Sequence, residues 1–449
     1  MFAKLKTLAA AAALSLVCAS AAHAQDVAVT NARIITMGPQ GTVERGTIVI
    51  RGGRVTAVGA DVRAPDGVQV IDAQGGTVTP GIVAVDSALG GLELSSEVST
   101  NDVLQSSNTL SAAFDVSWGL DPDSVAIPVA RLGGITRAIV MPQHAGAAAL
   151  AHEHDTAGAG AGGFHTPGMF AGQAAAIHLG EGMDIIVQPR VAMVAPFGAA
   201  GANIAGGARG AQFVLFKAIM DEVRLYQRNR AAYDRGGVRQ LMLSTADLEA
   251  LIPVAEGRMP LVVEVNRASD ILAVLRLARE ENLRIILNGA QEGWRVADEI
   301  AAARVPVILN PLADLPGSFE TRGATLENAA RLHAAGVTLA FRDSEGGNYR
   351  VRETRIHAGN AVANGLPYQA ALEAITVNPA RMFGLDSRFG SLQQGRDGDL
   401  VIWNGDPLEP LTWATQVVIR GVPQPMDARN LQLARRYAQG GVYPPAYRN

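Results

Sequence analysis

The sequence predicts an α/β protein built on a (β/α)8 barrel, and three observations carry that expectation. The first is a run of four strand-then-helix units in its second half. An apolar strand over residues 260–265 leads into a helical pattern over 268–281, and 284–288 into 292–303. Residues 305–310 then lead into 326–335, and 337–341 into 353–364. This rhythm implies parallel strands joined by helical crossovers, and four units make half of such a barrel. The second observation is composition: 48% hydrophobic residues, only 5% aromatic and 49 glycines suit tightly packed small side chains. The third is length, since 449 residues suffice for one large barrel and a smaller second domain.

The elements before that run are less regular. Strand patterns at 27–32, 47–51, 55–58 and 68–71 alternate apolar and polar residues, broken at Gly52-Gly53 and Pro65-Asp66-Gly67. Strands at 82–85, 136–141, 174–178 and 191–194 and a long helix around 212–233 make up the first half of the barrel. Between them, residues 145–163 form an Ala/Gly-rich stretch interrupted by His152-Glu153-His154-Asp155, a pattern that predicts a loop near the barrel mouth. Strand patterns return at 400–403 and 416–419.

Other classes are excluded by charge and hydropathy. Residues 1–24 read as a secretory signal: Lys4 and Lys6 precede an apolar run over 8–17, and Ala22-His23-Ala24 makes a cleavage site. No later run approaches a transmembrane length, so an exported, periplasmic or secreted, soluble mature protein is expected. Cys18 is the single cysteine and goes with the signal, leaving no disulfide, Cys nucleophile or Cys-bound metal. With 38 basic against 42 acidic residues and no basic block, nucleic acid is not an expected partner.

Several stretches carry a family resemblance. Pro80-Gly81-Ile82-Val83-Ala84-Val85-Asp86 leads the first barrel strand, and Thr30-Asn31-Ala32-Arg33-Ile34-Ile35 and Gly395-Arg396-Asp397-Gly398-Asp399-Leu400-Val401 flank the barrel. Gln291-Glu292-Gly293-Trp294, Thr376-Val377-Asn378-Pro379-Ala380 and Gly405-Asp406-Pro407 join them. Together they resemble the amidohydrolase superfamily, in its imidazolonepropionase-like branch that includes secreted dipeptidases. The resemblance implies a barrel over 80–385 inserted into a β-rich composite domain made of 25–79 and 386–449. It also implies zinc or another divalent metal at the strand ends. His-x-His after the first strand, a carboxylated Lys or a Glu, a His from each of two middle strands and a final Asp would hold it. Such a metal lowers the pKa of bound water to ~7 and makes it a nucleophile.

Carried over position by position, the paired-His places fall on Asp86 and Ala88, and alanine offers no donor atom. Glu264 sits at the fifth-strand His place, Asn288 (or Gly289 beside it) at the sixth, and Asp343 matches the final Asp. Lys217, the one lysine after residue 24, lies on a helical pattern with Phe213, Phe216, Ile219 and Met220, so it reads as a surface or capping lysine. His152 and His154 have ligand-like spacing without a strand to hold them, and His144 and His165 flank the same stretch. His178 reads as a polar strand end, and His333 and His357 as helical residues. Asp86, Glu264 and Asp343, with Asn288 and Asn310, would make an oxygen-rich ring suited to Mg²⁺, Ca²⁺ or Mn²⁺. The preferred alternative is direct neutralisation by an arginine such as Arg267 or Arg342. Gly206-Gly207-Ala208-Arg209-Gly210 predicts a helix entry, and Ser244-Thr245-Ala246-Asp247 a helix N-cap.

The functional expectation follows with its alternatives. By resemblance the chain is a hydrolase of C–N bonds in a cyclic amide, an N-acyl amino acid or a dipeptide. Asp343 is then the acid/base, and Asp86 and Glu264 are unusual metal ligands. Against this stands a pseudoenzyme that binds a small ligand or pairs with an active paralogue. A third reading is metal-free hydrolysis by carboxylates, one of them with a raised pKa. A homodimer is expected from family habit.

Overall fold

The structure is a computed structural model, and it describes residues 26–105, 110–144, 168–343 and 347–438. Residues 1–24, His152-Glu153-His154, His165 and all of the Ala/Gly-rich stretch 145–163 lie outside the described residues. Among the described residues no helix is long and apolar enough to cross a membrane.

The chain begins as a sheet: β1 (Val27–Ile35), β2 (Thr42–Arg51), β3 (Arg54–Gly59), β4 (Gln69–Asp72) and β5 (Thr77–Pro80). It then enters an eight-stranded barrel sheet made of β6 (Ile82–Ser87), β7 (Ile135–Val140), β8 (Gly172–His178) and β9 (Ile186–Pro196). β10 (Leu261–Val265), β11 (Ile285–Gly289), β12 (Val307–Leu309) and β13 (Leu339–Phe341) complete it. The chain returns to the first sheet with β14 (Leu400–Trp403), β15 (Ala414–Ile419) and β16 (Val422–Pro423). There β14 pairs antiparallel with β5, so both ends of the sequence share one sheet. Strand β5 joins the two sheets and was not anticipated from sequence.

Seven barrel strands run parallel as expected; β8 does not. It pairs antiparallel with both β7 and β9. Residues 179–185 link β8 to β9 as a hairpin, because so short a link cannot make a crossover between parallel strands. The helices that follow β10, β11 and β13 lie near their predicted places, at Ala268–Glu281, Ala297–Ala302 and Thr354–Ala363.

Inside the barrel, alternate residues meet in one apolar layer: Val83 and Val85, Ile139, Ala174 and Ala176, Val194, Val262, Ile286, Ile308 and Ala340. Small residues on β8 leave room for the bulkier ones opposite. Gly81 explains the Pro-Gly lead: a Cβ there would sit 2.0 Å from Thr136 Oγ1, so only glycine lets β6 approach β7. Below the barrel, buried Arg137 of β7 bonds Asp399 at 2.5 Å and Asp397 at 2.9 Å. Its guanidinium also lies 5.0 Å from the Phe389 ring centre, tying the barrel to the terminal sheet.

Candidate functional site

Strand alternation builds the site. Val262, Ile286, Ile308 and Ala340 point into the barrel, and side chains two residues on share that direction. The next inward positions, at the C-terminal ends, are therefore Glu264, Asn288, Asn310 and Arg342. β6 contributes by a different route. Asp86 has φ +53, a left-handed conformation that only a minority of non-glycine residues adopt, and the pairing of β6 with β7 is irregular there. That turn brings the Asp86 carboxylate into the same layer.

The polar contacts converge on one atom. Asp86 Oδ2 accepts from Asn288 Nδ2 at 3.0 Å and from Arg342 Nη1 at 2.9 Å. Asn288 is buried, whereas Asp86 and Arg342 are partly open to the mouth. Two further atoms of this cluster, Asn288 Oδ1 and Arg342 Nε, are buried without a protein partner. Glu264 reaches the mouth, yet burial, helped by the nearby Asp86 charge and opposed by Arg342, pushes its pKa up to about 7. Behind Arg342, His357 is buried, and burial, opposed by the neighbouring Arg342 backbone, holds its pKa below the usual histidine value.

The sequence candidates separate accordingly. Asp86, Glu264 and Asn288 come together. Asn310 occupies its strand end but turns its Oδ1 to the Leu312 N–H at 3.0 Å. Asp343 is buried immediately beyond Arg342. By the strand alternation Arg342 faces the barrel axis. Of the two arginines considered for neutralisation, Arg342 makes the ion pair; Arg267 sits at the N-cap of helix Ala268–Glu281. Lys217 lies on the outside of helix Arg209–Asp234, bonded to Glu280 at 2.9 Å, well away from any strand end. His178 ends the reversed strand at the bottom of the barrel and accepts from Gly180 N.

Among the described residues, the side chains at the strand ends do not fit a catalytic metal of the expected kind. Among the described residues no three His, Cys, Asp or Glu side chains gather as a cation cage. Asp86 Oδ2 is already taken by a guanidinium, which would repel a dication. Ala88 is buried in the apolar core beside Leu89 and Leu92.

The rim is braced by residues that carried the family resemblance. Buried Glu292 accepts from Gly323 N at 2.9 Å and Ala268 N at 3.2 Å, and Trp294 Nε1 donates to Gly323 O at 2.8 Å. Glu320, farther along the loop after β12, accepts from Ala199 N at 2.7 Å and from Arg209 at 2.6 Å. Arg209, at the predicted helix entry, also bonds Asp270 at 2.9 Å. Ser244 caps helix Thr245–Ala255 by accepting from Asp247 N, as its sequence predicts. Arg342 as the centre of the site, and His357 behind it, are what sequence reasoning undervalued. Alternation along 338–342 was the available signal.

Comparison with known proteins agrees with this architecture. Residues 270–424 match the amidohydrolase family. The chain is 32% identical over 121 residues to an imidazolonepropionase of Acidiphilium cryptum (strain JF-5), covering 26% of this chain and 29% of that one. The second half of this chain is thus similar to the amidohydrolase family. An amidohydrolase, tasK, of Hapsidospora irregularis is 39% identical over 69 residues, which are 15% of this chain and 7% of the relative. The matches thus span under a third of either curated relative. Among solved structures, an amidohydrolase from Thermotoga maritima MSB8 superposes with a TM-score of 0.75 at 22% identity, covering 88% of this chain and 99% of that one. The superposition supports the fold class, a barrel with a β-rich sheet beside it.

Proposed function

We propose that the barrel mouth binds a small amide-bearing molecule and hydrolyses its C–N bond, with Glu264 as the proton carrier. The observation that carries this reading is the pair of unpartnered buried atoms at Asp86. Asn288 Oδ1 is a free acceptor and Arg342 Nε–H a free donor, and an amide supplies the complement of both in its N–H and C=O. Buried polar atoms without partners are costly, so a ligand that satisfies them gains affinity and selectivity.

Chemistry at this site runs through the chain's own groups. With a pKa of about 7, Glu264 is ionised in part at neutral pH and serves as base and then as acid. It takes a proton from water as the oxygen adds to the carbonyl carbon. The resulting oxyanion lies against the Arg342 guanidinium, which stabilises the charge. The C–N bond then breaks as the nitrogen takes the proton from Glu264, leaving a carboxylic acid and an amine. Cyclic amides, N-acyl amino acids and dipeptides are the classes to test, since the family resemblance and the imidazolonepropionase match point to them.

A panel of these compounds, assayed for released amine, tests the reading. Turnover that falls at least about 100-fold in Glu264→Gln supports it. A second reading, a pseudoenzyme that binds such a ligand without cleaving it, is favoured by one observation: Asp86 Oδ2 is taken by both Asn288 and Arg342. Binding without amine release, at equal affinity in Glu264→Gln, would establish that reading instead.

A further inference from the structure

We infer that Arg342 stands in for the metal ion of this fold, so that the site is held together by a guanidinium and is independent of divalent cations. This deepens the reading above and is tested apart from any turnover. Three features of the structure support it. The guanidinium sits 2.9 Å from Asp86, the residue at the first metal-ligand place. It belongs to the innermost layer of the barrel, two residues after inward-facing Ala340, where it faces the carboxylates that a cation would otherwise neutralise. Its backbone is fixed by the Arg342 N–H bonded to Leu309 O at 3.1 Å, so the charge is placed by the fold and not by a mobile side chain alone.

The physical argument concerns what each cation can do. Asp86 and Glu264 at the top of a narrow barrel repel one another unless a positive charge lies between them. A dication needs several converging donors, which the described residues do not provide. A guanidinium brings its charge covalently attached, needs no ligand set and holds carboxylates through directed N–H bonds. Asn288, in the place of a ligand histidine, reinforces the same oxygen as a hydrogen-bond donor at 3.0 Å, a role an amide performs and a metal-bound imidazole does not.

Purified protein incubated with Zn²⁺ or Mn²⁺ and dialysed should retain only substoichiometric metal, and EDTA should leave its Tm unchanged. Arg342→Ala should lower Tm by on the order of 5 °C. Millimolar methylguanidinium should restore part of that loss where NaCl at equal ionic strength does not, and Arg342→Lys should fall between. Stoichiometric metal retained by the wild type, with a fall in Tm on chelation, would overturn the inference even if Arg342→Ala failed to fold. So would an Arg342→Ala protein as stable as the wild type and indifferent to methylguanidinium. Neither result depends on whether an amide is cleaved, so the hydrolase reading can fail while this one stands.

Discussion

Arg137 Nε donates to Asp399 Oδ2 at 2.5 Å, across the boundary between the barrel and the sheet formed by both ends of the chain. All three members of the cluster are nearly solvent-free, with Arg137 at 1%, Asp397 at 7% and Asp399 at 3% side-chain exposure. Removing one member of a buried pair strands the rest without compensation. Arg137→Met is therefore expected to cost about 3–5 kcal/mol, read as a lower urea midpoint. Arg137→Lys should recover little, because a single ammonium does not reproduce the two-directional fork.

Glu264 gives a pH signature. Its carboxyl titrates at about 7 in the folded chain against 4.5 ordinarily, so folding favours the protonated form. The stabilising contribution is complete below pH 4.5, declines as pH rises to about 7 and is gone above it. Urea melts across pH 4 to 8 should show the wild type losing up to ~3 kcal/mol relative to Glu264→Gln. A difference independent of pH would remove the basis for Glu264 as the proton carrier.

The barrel seam supplies a third test. β13 and β6 do not pair as strands; the gap is bridged by Gly347 O, which accepts from Ser87 Oγ at 3.0 Å and Ala88 N at 2.6 Å. Gly347 has φ +74, and a Cβ on it would sit 2.5 Å from Asp86 O. Gly347→Ala is expected to cost roughly 2 kcal/mol or more, and Ser87→Ala about 1 kcal/mol. Thermal melts of both variants check the order. Equal losses would mean that the seam tolerates a side chain.

Restoring the missing histidines should not restore a metal. Asp86→His with Ala88→His places an imidazole where Ala88 is 1% exposed among Leu89, Leu92 and neighbouring core residues. Overpacking there is expected to cost about 1–3 kcal/mol. The Arg342 charge remains in place, so zinc retained after dialysis should stay substoichiometric. Stoichiometric zinc in the double variant would show that the site had lost only its ligands and not its geometry.

Much of this was written in local sequence pattern, and the exceptions have local causes. Helices such as Ala268–Glu281 followed from an apolar stripe, the Ser244 cap from its spacing to Asp247, and Lys217 as a surface residue from the helical face around it. The reversed β8 escaped because an apolar run of small residues looks the same in either direction; only the length of the link to β9 distinguishes them. Asp343 drew the eye at the last strand because the family pattern ends in Asp. The register set by Ala340 facing the interior brings the neighbouring Arg342 to Asp86, which the family pattern did not announce.

The sequence by itself determined the barrel, the returning terminal strands and the identities Asp86 and Ala88 after the first barrel strand, since periodicity, breakers and residue identity are all local properties. Tertiary structure alone decided which polar groups meet. Asp86, Glu264 and Asn288 lie on three different strands and Arg342 just past the end of a fourth, and their meeting depends on strand register and on a left-handed turn at Asp86. No local pattern records those two quantities, because both are set by packing against the rest of the barrel.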